Sequence, residues 1–200
     1  MRKYNKFFEN KIKIISKSKK VLDVGGGNPF QKSMKKYESY FKNCTYHTID
    51  YNEYYNPTYV GNIQNMKEIK NNSYEAIICL SVLEHVEEPL KVVSEIKRIL
   101  KKGGSGLFFV PSLYPYHART GKGAYPDNYR YFKDGIRFMF KEFEKVEIVN
   151  AGSYFEVLLH LMPFPGKIKN FLEPIAYFFD SLLKTDKKSV ARGYYFYVEK

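Results

Sequence analysis

The sequence contains few of the residues that mark several classes of protein. Its only cysteines, Cys44 and Cys79, exclude a disulfide scaffold and a cysteine-rich metal site, and they fit a reducing compartment. No apolar run approaches the roughly 18 residues that span a bilayer. Lys11, Lys13 and Lys17 interrupt the N-terminal apolar stretches before a signal peptide can form. We therefore expect a soluble cytoplasmic protein.

Acidic residues are also few. The chain has 33 Lys and Arg against 21 Asp and Glu, and its net charge is +12. Residues 1–20 hold eight basic residues and one acidic residue, which gives +7 for this segment. Such a segment can meet nucleic acid or an anionic membrane, although a solvated helix face is the commoner explanation. The length of 200 residues predicts one domain over 1–200, beginning with a basic N-terminal helix within 1–18.

Strand and helix patterns alternate along the chain. Short apolar runs predict strands at 21–24, 45–50, 58–60, 74–80, 107–110, 145–150 and 192–199. Helical spacing predicts helices over 3–16, over 30–41, from Pro89 to the pair Gly103-Gly104, and over 133–143. This alternation predicts a parallel sheet with right-handed crossovers. The segment 153–188 is too long for an ordinary connection, so we interpret it as a helical lid or a docking surface.

A run of three glycines at 25–27 follows the first predicted strand. Ligands of open parallel sheets bind beyond such strand ends, and glycines let a ligand approach the backbone closely. Asp50 ends the next strand, where a carboxylate can accept hydrogen bonds from both ribose hydroxyls of a nucleoside. Phe30 replaces the third glycine of a dinucleotide-binding motif, and Asp23 suits an ammonium better than a pyrophosphate. Both features favour S-adenosylmethionine over a dinucleotide.

Four sequence blocks then carry a family resemblance. They are VLDVGGGNP at 21–29, YHTIDYN at 46–52, YVGNIQNM at 59–66, and a long block at 74–112 that contains LEHV. With these blocks the chain resembles the class I S-adenosylmethionine-dependent methyltransferases, in the branch with an LEHV segment after the fourth strand. The resemblance covers about residues 19–150. It implies an α/β, Rossmann-like three-layer sandwich whose seven-stranded sheet is mostly parallel with an antiparallel last strand.

The resemblance also implies a site for S-adenosylmethionine. The methionine end and methyl group would be bound from the glycine loop and the fourth strand, by Asp23, Gly25, Gly26, Gly27, Asn28, Leu80 and Ser81. The ribose would be bound by Asp50. The adenine would be flanked by Tyr51 and contacted at its edge by Asn62 and Ile63.

Two histidines are candidates for catalysis. His85 and His117 follow the fourth and fifth strands at the same edge of the sheet, and a neutral imidazole is a suitable base for a hydroxyl acceptor. His85 can instead hydrogen-bond the loop around it. Asp127 and Arg130 can bind a phosphate or carboxylate of the acceptor, or can brace their own loop. No group of His, Cys or Asp has the spacing of metal ligands in the sequence, so we predict no metal site.

Three hypotheses about the function remain open. The segment after the fifth strand resembles a sub-branch associated with sugar and cell-envelope glycan modification, which favours O-methylation of a small molecule, a glycan or a lipid-linked sugar. The positive charge and the many tyrosines suit an RNA-directed methyltransferase. A non-catalytic protein that binds S-adenosylmethionine is the third hypothesis. The aromatic, basic segment 153–188 can contact a membrane surface, form the face of a homodimer or close over the site.

Overall fold

Strands and helices alternate in the computed structural model, which describes residues 2–185 and 190–200. The helices are α1 (Lys3–Ile15), α2 (Pro89–Ile99), α3 (Lys133–Met139), α4 (Tyr154–Leu161) and α5 (Gly166–Leu182). The strands are β1 (Lys20–Val24), β2 (Thr45–Asp50), β3 (Tyr59–Val60), β4 (Tyr74–Leu80), β5 (Leu100–Pro111), β6 (Lys145–Ala151) and β7 (Gly193–Glu199). Short 3-10 helices lie at Lys32–Phe41, Glu53–Tyr55 and Leu83–His85. In the described part of the chain, every helix is too short or too polar to cross a bilayer.

The seven strands form one sheet in the order β3-β2-β1-β4-β5-β7-β6. Strands β1 to β5 pair in parallel, whereas β7 pairs antiparallel with both β5 and β6. The chain leaves β1 toward β2 and β3, and then returns to the other side of β1 with β4. The carboxyl ends of β1 and β4 therefore flank the point where the strand order reverses, which is where open α/β sheets bind ligands.

Both faces of the sheet are covered, which confirms the predicted three-layer class. On one face α1 and the 3-10 helix at Lys32–Phe41 bury Phe8, Ile12, Ile15, Met34 and Phe41. On the other face α2 and α3 bury Val92, Ile96, Ile99 and Ile136. The basic helix α1 is thus a packed element of the fold with a charged outer face.

Three predicted helices differ from the structure, two in where they end and one in helix type. The helix predicted to end at Gly103-Gly104 ends at Ile99, because Leu100 already pairs with Tyr74 and the two glycines lie inside β5. The helix predicted over 133–143 ends at Met139, after which the chain turns and buries two phenylalanines, Phe140 and Phe143. The helix predicted over 30–41 is a 3-10 helix. Sheet pairing and core packing override local propensity at these places.

The predicted insertion 153–188 is a helical hairpin of α4 and α5, and its last residues, 186–188, lie outside the described part of the chain. Asp180 of α5 is buried and accepts hydrogen bonds from the backbone N–H groups of Phe155 and Glu156, each at 3.0 Å. This carboxylate caps the start of α4 and joins the two helices. The outer side of the hairpin exposes many large apolar side chains, including Leu158, Leu161, Met162, Phe171, Ile175, Phe178, Leu182 and Leu183.

Candidate cofactor and acceptor site

A cavity of about 950 Å³ lies at the carboxyl ends of β1, β2 and β4. This volume is within the range of small-molecule sites. Nine of the residues that the sequence indicated line it, namely Gly25, Asp50, Tyr51, Asn62, Ile63, Leu80, Ser81, His85 and His117. The remaining cofactor candidates, Asp23, Gly26, Gly27 and Asn28, belong to the end of β1 and the loop that follows it. The residues predicted to bind the cofactor therefore lie close together, in the cavity and in the loop after β1.

The glycine loop has no room for larger side chains. Gly25 has a φ of +71°, and a Cβ atom there would lie 2.5 Å from a methyl group of Val82. A Cβ atom on Gly26 would lie 2.4 Å from the carboxyl carbon of Asp23. The Gln31 side chain donates a hydrogen bond to the Gly26 carbonyl and so fixes the loop. The backbone at this strand end is thus held where a ligand can approach it closely.

Asp23 and Asp50 are the two carboxylates that follow from the sequence. Asp23 is buried and accepts a hydrogen bond of 2.7 Å from the Tyr46 hydroxyl. Burial raises the pKa of Asp23 to about 7, and the charge of Asp50 adds to this effect. An ammonium beside Asp23 would favour its ionised form. Asp50 lines the cavity while its Oδ1 atom accepts a hydrogen bond from the Asn52 backbone N–H at 2.9 Å, so it also holds the turn after β2.

The residues that the resemblance assigns to the adenine lie in the connection from β2 to β3 and in the segment that follows β3. The Tyr51 hydroxyl donates to the Ala124 carbonyl. The side-chain oxygen of Asn62 accepts from the Gln64 backbone N–H at 2.9 Å and from the Gln64 side-chain amide at 3.3 Å. The sequence analysis missed Tyr55, which also lines the cavity. A tyrosine-rich segment directly after Asp50 was the signal that could have indicated it.

The β5–α3 loop, residues 112–132, forms another wall of the cavity. Arg119 and Tyr125 exchange two backbone hydrogen bonds of 3.0 Å, which makes a short hairpin within this loop. The Tyr55 hydroxyl donates to the Gly123 carbonyl at 3.3 Å and accepts from Arg119 at 2.9 Å. The hairpin is therefore tied to the segment after β2, and the cavity is walled from both sides.

Glu84, His85 and His117 meet in the same cavity. Glu84 Oε1 lies 3.7 Å from the Nε2 atoms of both histidines. The Glu84 side chain is fully buried, and neither carboxylate oxygen has a hydrogen-bond partner among the described residues. Burial raises the pKa of Glu84 to about 8, and burial lowers the pKa of His85. Glu84 belongs to the LEHV motif and has no role predicted from the sequence, although an acidic residue between Leu83 and the candidate base His85 was a usable signal.

The outer nitrogens of the two rings are held by the β5–α3 loop. His85 Nδ1 lies 2.5 Å from the Pro126 carbonyl oxygen, and His117 Nδ1 lies 3.2 Å from an Asp127 carboxylate oxygen. Arg130 donates to both oxygens of Asp127, at 2.5 and 2.6 Å, and this contact holds the pKa of Asp127 at about 2. Arg130 also donates to the carbonyl of Tyr114. The geometry thus favours the bracing role for Asp127 and Arg130.

This sheet order, with a glycine loop and an acidic residue where the strand order reverses, is typical of proteins that bind a nucleoside or dinucleotide cofactor. A family model described as a methyltransferase domain matches residues 22–108. This match supports the class that the motifs indicated, the class I S-adenosylmethionine-dependent methyltransferases. The glycine loop, the buried Asp23 and the cavity position of Asp50 fit S-adenosylmethionine, the cofactor of this class.

Similar proteins and structures agree with this class. The thiol S-methyltransferase TMT1B of Rattus norvegicus is 29% identical over 106 residues, which are 52% of this chain and 42% of the relative. The Mus musculus protein of the same name is 26% identical over 104 residues, which are 51% of this chain and 41% of the relative. The chain thus spans about two fifths of the length of these curated relatives.

Two solved structures share the fold. A SAM-dependent methyltransferase from Archaeoglobus fulgidus aligns with a TM-score of 0.63 at 11% identity, covering 98% of this chain and 93% of the other. Phosphoethanolamine N-methyltransferase 2 of Haemonchus contortus, in complex with S-adenosyl-L-methionine, aligns with a TM-score of 0.54 at 17% identity. That alignment covers 95% of this chain and 52% of the other.

Proposed function

We propose that the chain transfers a methyl group from S-adenosylmethionine to a hydroxyl group of a small molecule, a glycan or a lipid-linked sugar. The observation that supports this proposal most is the position of the Glu84–His85–His117 cluster. It lies in the same cavity as Leu80 and Ser81, the residues assigned by resemblance to the methyl end of the cofactor. An acceptor hydroxyl in this part of the cavity therefore meets basic groups.

The bound cofactor supplies a methyl carbon on a sulfonium sulfur, and an acceptor oxygen forms the new C–O bond as the C–S bond breaks and its electron pair stays on sulfur. The hydroxyl proton passes to a ring nitrogen of His85 or His117. Holding the acceptor in line is the larger contribution, because positioning of this kind supplies about 7–11 kcal/mol. A positioned base adds about 10²–10⁴ in rate.

The walls of the cavity favour an acceptor that is small or presents one narrow end. The β5–α3 loop contributes Tyr114, His117 and Tyr125 to the lining, and it is tied to Tyr55 on the other side. Aromatic side chains bind the apolar faces of sugars and small rings, while their polar tips accept or donate hydrogen bonds. A folded RNA would need this loop to be displaced.

A thiol acceptor is the second candidate, and the names of the curated relatives are the observation that favours it. A thiol has a pKa of about 8.5, so it needs less help from a base than a hydroxyl does. If the acceptor is a thiol, we expect the His117→Asn variant to lose little of its methyl-transfer rate. If the acceptor is a hydroxyl, we expect this variant to lose about a hundredfold or more of its rate.

The direct test is transfer of a tritiated methyl group from S-adenosylmethionine by the purified chain. The acceptors are a small-thiol panel and a cell extract separated into lipid, glycan, RNA and protein fractions. We expect label in the lipid or glycan fraction or in a small hydroxyl compound, and its loss in the Asp50→Ala variant. Label confined to thiols would favour the second candidate. Label in RNA, or no label anywhere, would contradict the proposal.

A further inference from the structure

We propose that Glu84, His85 and His117 form a site for one divalent transition-metal ion at the acceptor end of the cavity. Each residue offers one ligand atom, and the three atoms all lie within 4.8 Å of one another. Two imidazoles and one carboxylate are a known ligand set for catalytic zinc and for non-haem iron, which keep open positions for other ligands. The sequence spacing gave no sign of this site, because His117 joins the cluster only through the β5–α3 loop.

The buried carboxylate is the first independent argument. Glu84 is fully buried, both of its oxygens lack hydrogen-bond partners among the described residues, and one of them faces two ring nitrogens. Burying such a group without a partner is costly, and a bound cation is one of the arrangements that offset the cost. Arg130 lies nearby, but its guanidinium is engaged by Asp127 and by loop carbonyls.

The orientation of the two rings is the second argument. Metal-binding histidines almost always donate their other ring N–H to a carbonyl or a carboxylate. His85 has the Pro126 carbonyl oxygen at Nδ1, and His117 has the Pro115 carbonyl oxygen and an Asp127 carboxylate oxygen at Nδ1, each at 3.2 Å. Arg130 Nη2 also lies 3.4 Å from His117 Nδ1. These oxygen acceptors favour the tautomer with its proton on Nδ1, which leaves a lone pair on each Nε2 atom, 3.7 Å from Glu84 Oε1. Asp127 and Arg130 are then positioning residues for His117.

The distances bring the three ligand atoms near the spacing of a metal site. Zinc–nitrogen bonds of about 2.0–2.1 Å place the ligand atoms of a tetrahedron roughly 3.4 Å apart. The two observed Oε1–Nε2 distances are 3.7 Å, and all three ligand atoms lie within 4.8 Å of one another, so the rings move closer together when an ion binds. Two nitrogen ligands favour a transition metal over Mg²⁺ or Ca²⁺, which prefer oxygen.

The position of the site indicates its use. All three residues line the cavity, so an ion held there has its open coordination positions on the cavity side. An oxygen or sulfur of the acceptor can occupy such a position, and coordination lowers its pKa. With the ion bound, the coordinated acceptor gives its proton to solvent water, and no ring nitrogen has to take it. This consequence rests on the proposed function, whereas metal binding itself does not.

The experiment is a titration of the tag-free, metal-stripped full chain with Co²⁺, followed by visible d–d absorption, with Zn²⁺ as competitor. We expect saturation at one equivalent and displacement by Zn²⁺ but not by Mg²⁺. Glu84→Gln and His117→Asn should weaken Co²⁺ binding at least tenfold. His47→Asn, which removes a histidine from β2 that contacts Tyr74, should leave it unchanged.

The Glu84→Gln variant keeps the side-chain volume, and its circular dichroism and unfolding midpoint report whether it is folded. No saturable absorption with the wild-type chain would overturn the proposal, as would equal Co²⁺ affinity in a folded Glu84→Gln variant or displacement by Mg²⁺. Neither S-adenosylmethionine nor an acceptor is present in the titration. Its failure therefore leaves the proposed methyl transfer standing, and a failure to find methyl transfer leaves the metal site standing.

Discussion

Two acidic side chains, Asp23 and Glu84, are almost fully buried beside the cavity. Burial raises the pKa of each, because a charged carboxylate loses hydration that the surrounding side chains do not fully replace. Such groups cost stability near neutral pH and are commonly retained for binding a charged partner. For Asp23 the partner that the family resemblance indicates is the ammonium of the cofactor.

The Asp23→Asn variant tests this cost in the free protein. The pKa of Asp23 is about 7 in the folded chain and 3.8 for an unburied group, so the unfolded chain loses its proton first as pH rises. The wild type should therefore lose stability relative to the variant between these two values. Asn keeps an acceptor for the Tyr46 hydroxyl.

Urea unfolding measures this difference at about pH 5 and about pH 8. The quantity compared is the free energy of unfolding of the variant minus that of the wild type. We expect this difference to be about 2–3 kcal/mol larger at pH 8 than at pH 5. The other buried acids titrate in both proteins and cancel in the comparison. A difference that stays constant with pH would mean that Asp23 is already ionised in the folded chain.

At the scale of elements, the β5–α3 loop and the segment after β2 close the cavity together. Gly123 is buried against Tyr55, and a Cβ atom there would lie 2.1 Å from the Tyr55 hydroxyl oxygen. Gly121, in the same hairpin, has a similar φ of +77° against +75°, but a Cβ atom there meets no atom within 4 Å. Substituting each glycine by alanine therefore distinguishes the effect of backbone strain, which both substitutions cause, from the effect of displacing Tyr55, which only the change at Gly123 causes.

We predict that Gly123→Ala weakens binding of S-adenosylmethionine about tenfold, because it displaces Tyr55 from the cavity wall. Gly121→Ala carries the same backbone cost, on the order of 1–2 kcal/mol in the loop, and should change the dissociation constant less than about twofold. Isothermal titration calorimetry measures both. Equal effects of the two substitutions would show that loop strain, rather than the Tyr55 contact, controls binding.

Local patterns predicted most elements, and β2 and β4 match the structure residue for residue. The buried run of β4 is bounded by Ser73 and Ser81, so the pattern alone sets its length. The end of α2 and the start of β5 could not be predicted, because pairing of Leu100 with Tyr74 is a long-range contact. The same limit applies to the site. Asp50 could be predicted because it ends a strand next to the glycine loop. The contact between Glu84 and His117 could not, because it depends on the conformation of the long β5–α3 loop, which has no regular sequence pattern.

At the scale of the whole molecule, α4 and α5 present an apolar outer surface. Phe171 is 75% exposed and Phe178 is 60% exposed, and both belong to the α4–α5 hairpin described above. Exposed apolar side chains grouped on one pair of helices are a feature of interaction sites. We propose the homodimer face predicted from the sequence as the role of this surface, with closure over the site and contact with a membrane as the two alternatives.

Sedimentation equilibrium tests self-association. We expect a dimer of the wild-type chain, and a dissociation constant at least about tenfold higher in the double variant Phe171→Ser, Phe178→Ser, because desolvated aromatic side chains dominate such contacts. Leu90→Ser is the matched control, since Leu90 is 52% exposed on α2, outside the hairpin. A monomeric wild type that floats with anionic vesicles, and loses this in the double variant, would favour the membrane alternative.

The central claim is that the cavity beside the glycine loop binds S-adenosylmethionine through Asp50, and calorimetric titration of the wild type and Asp50→Ala tests it most directly. The account predicts one site per wild-type chain and binding at least about thirtyfold weaker in the variant, since two hydrogen bonds to a charged group are lost. Glu53→Ala removes an exposed carboxylate three residues away and should leave the affinity unchanged. Equal affinity of the wild type and Asp50→Ala would contradict the account.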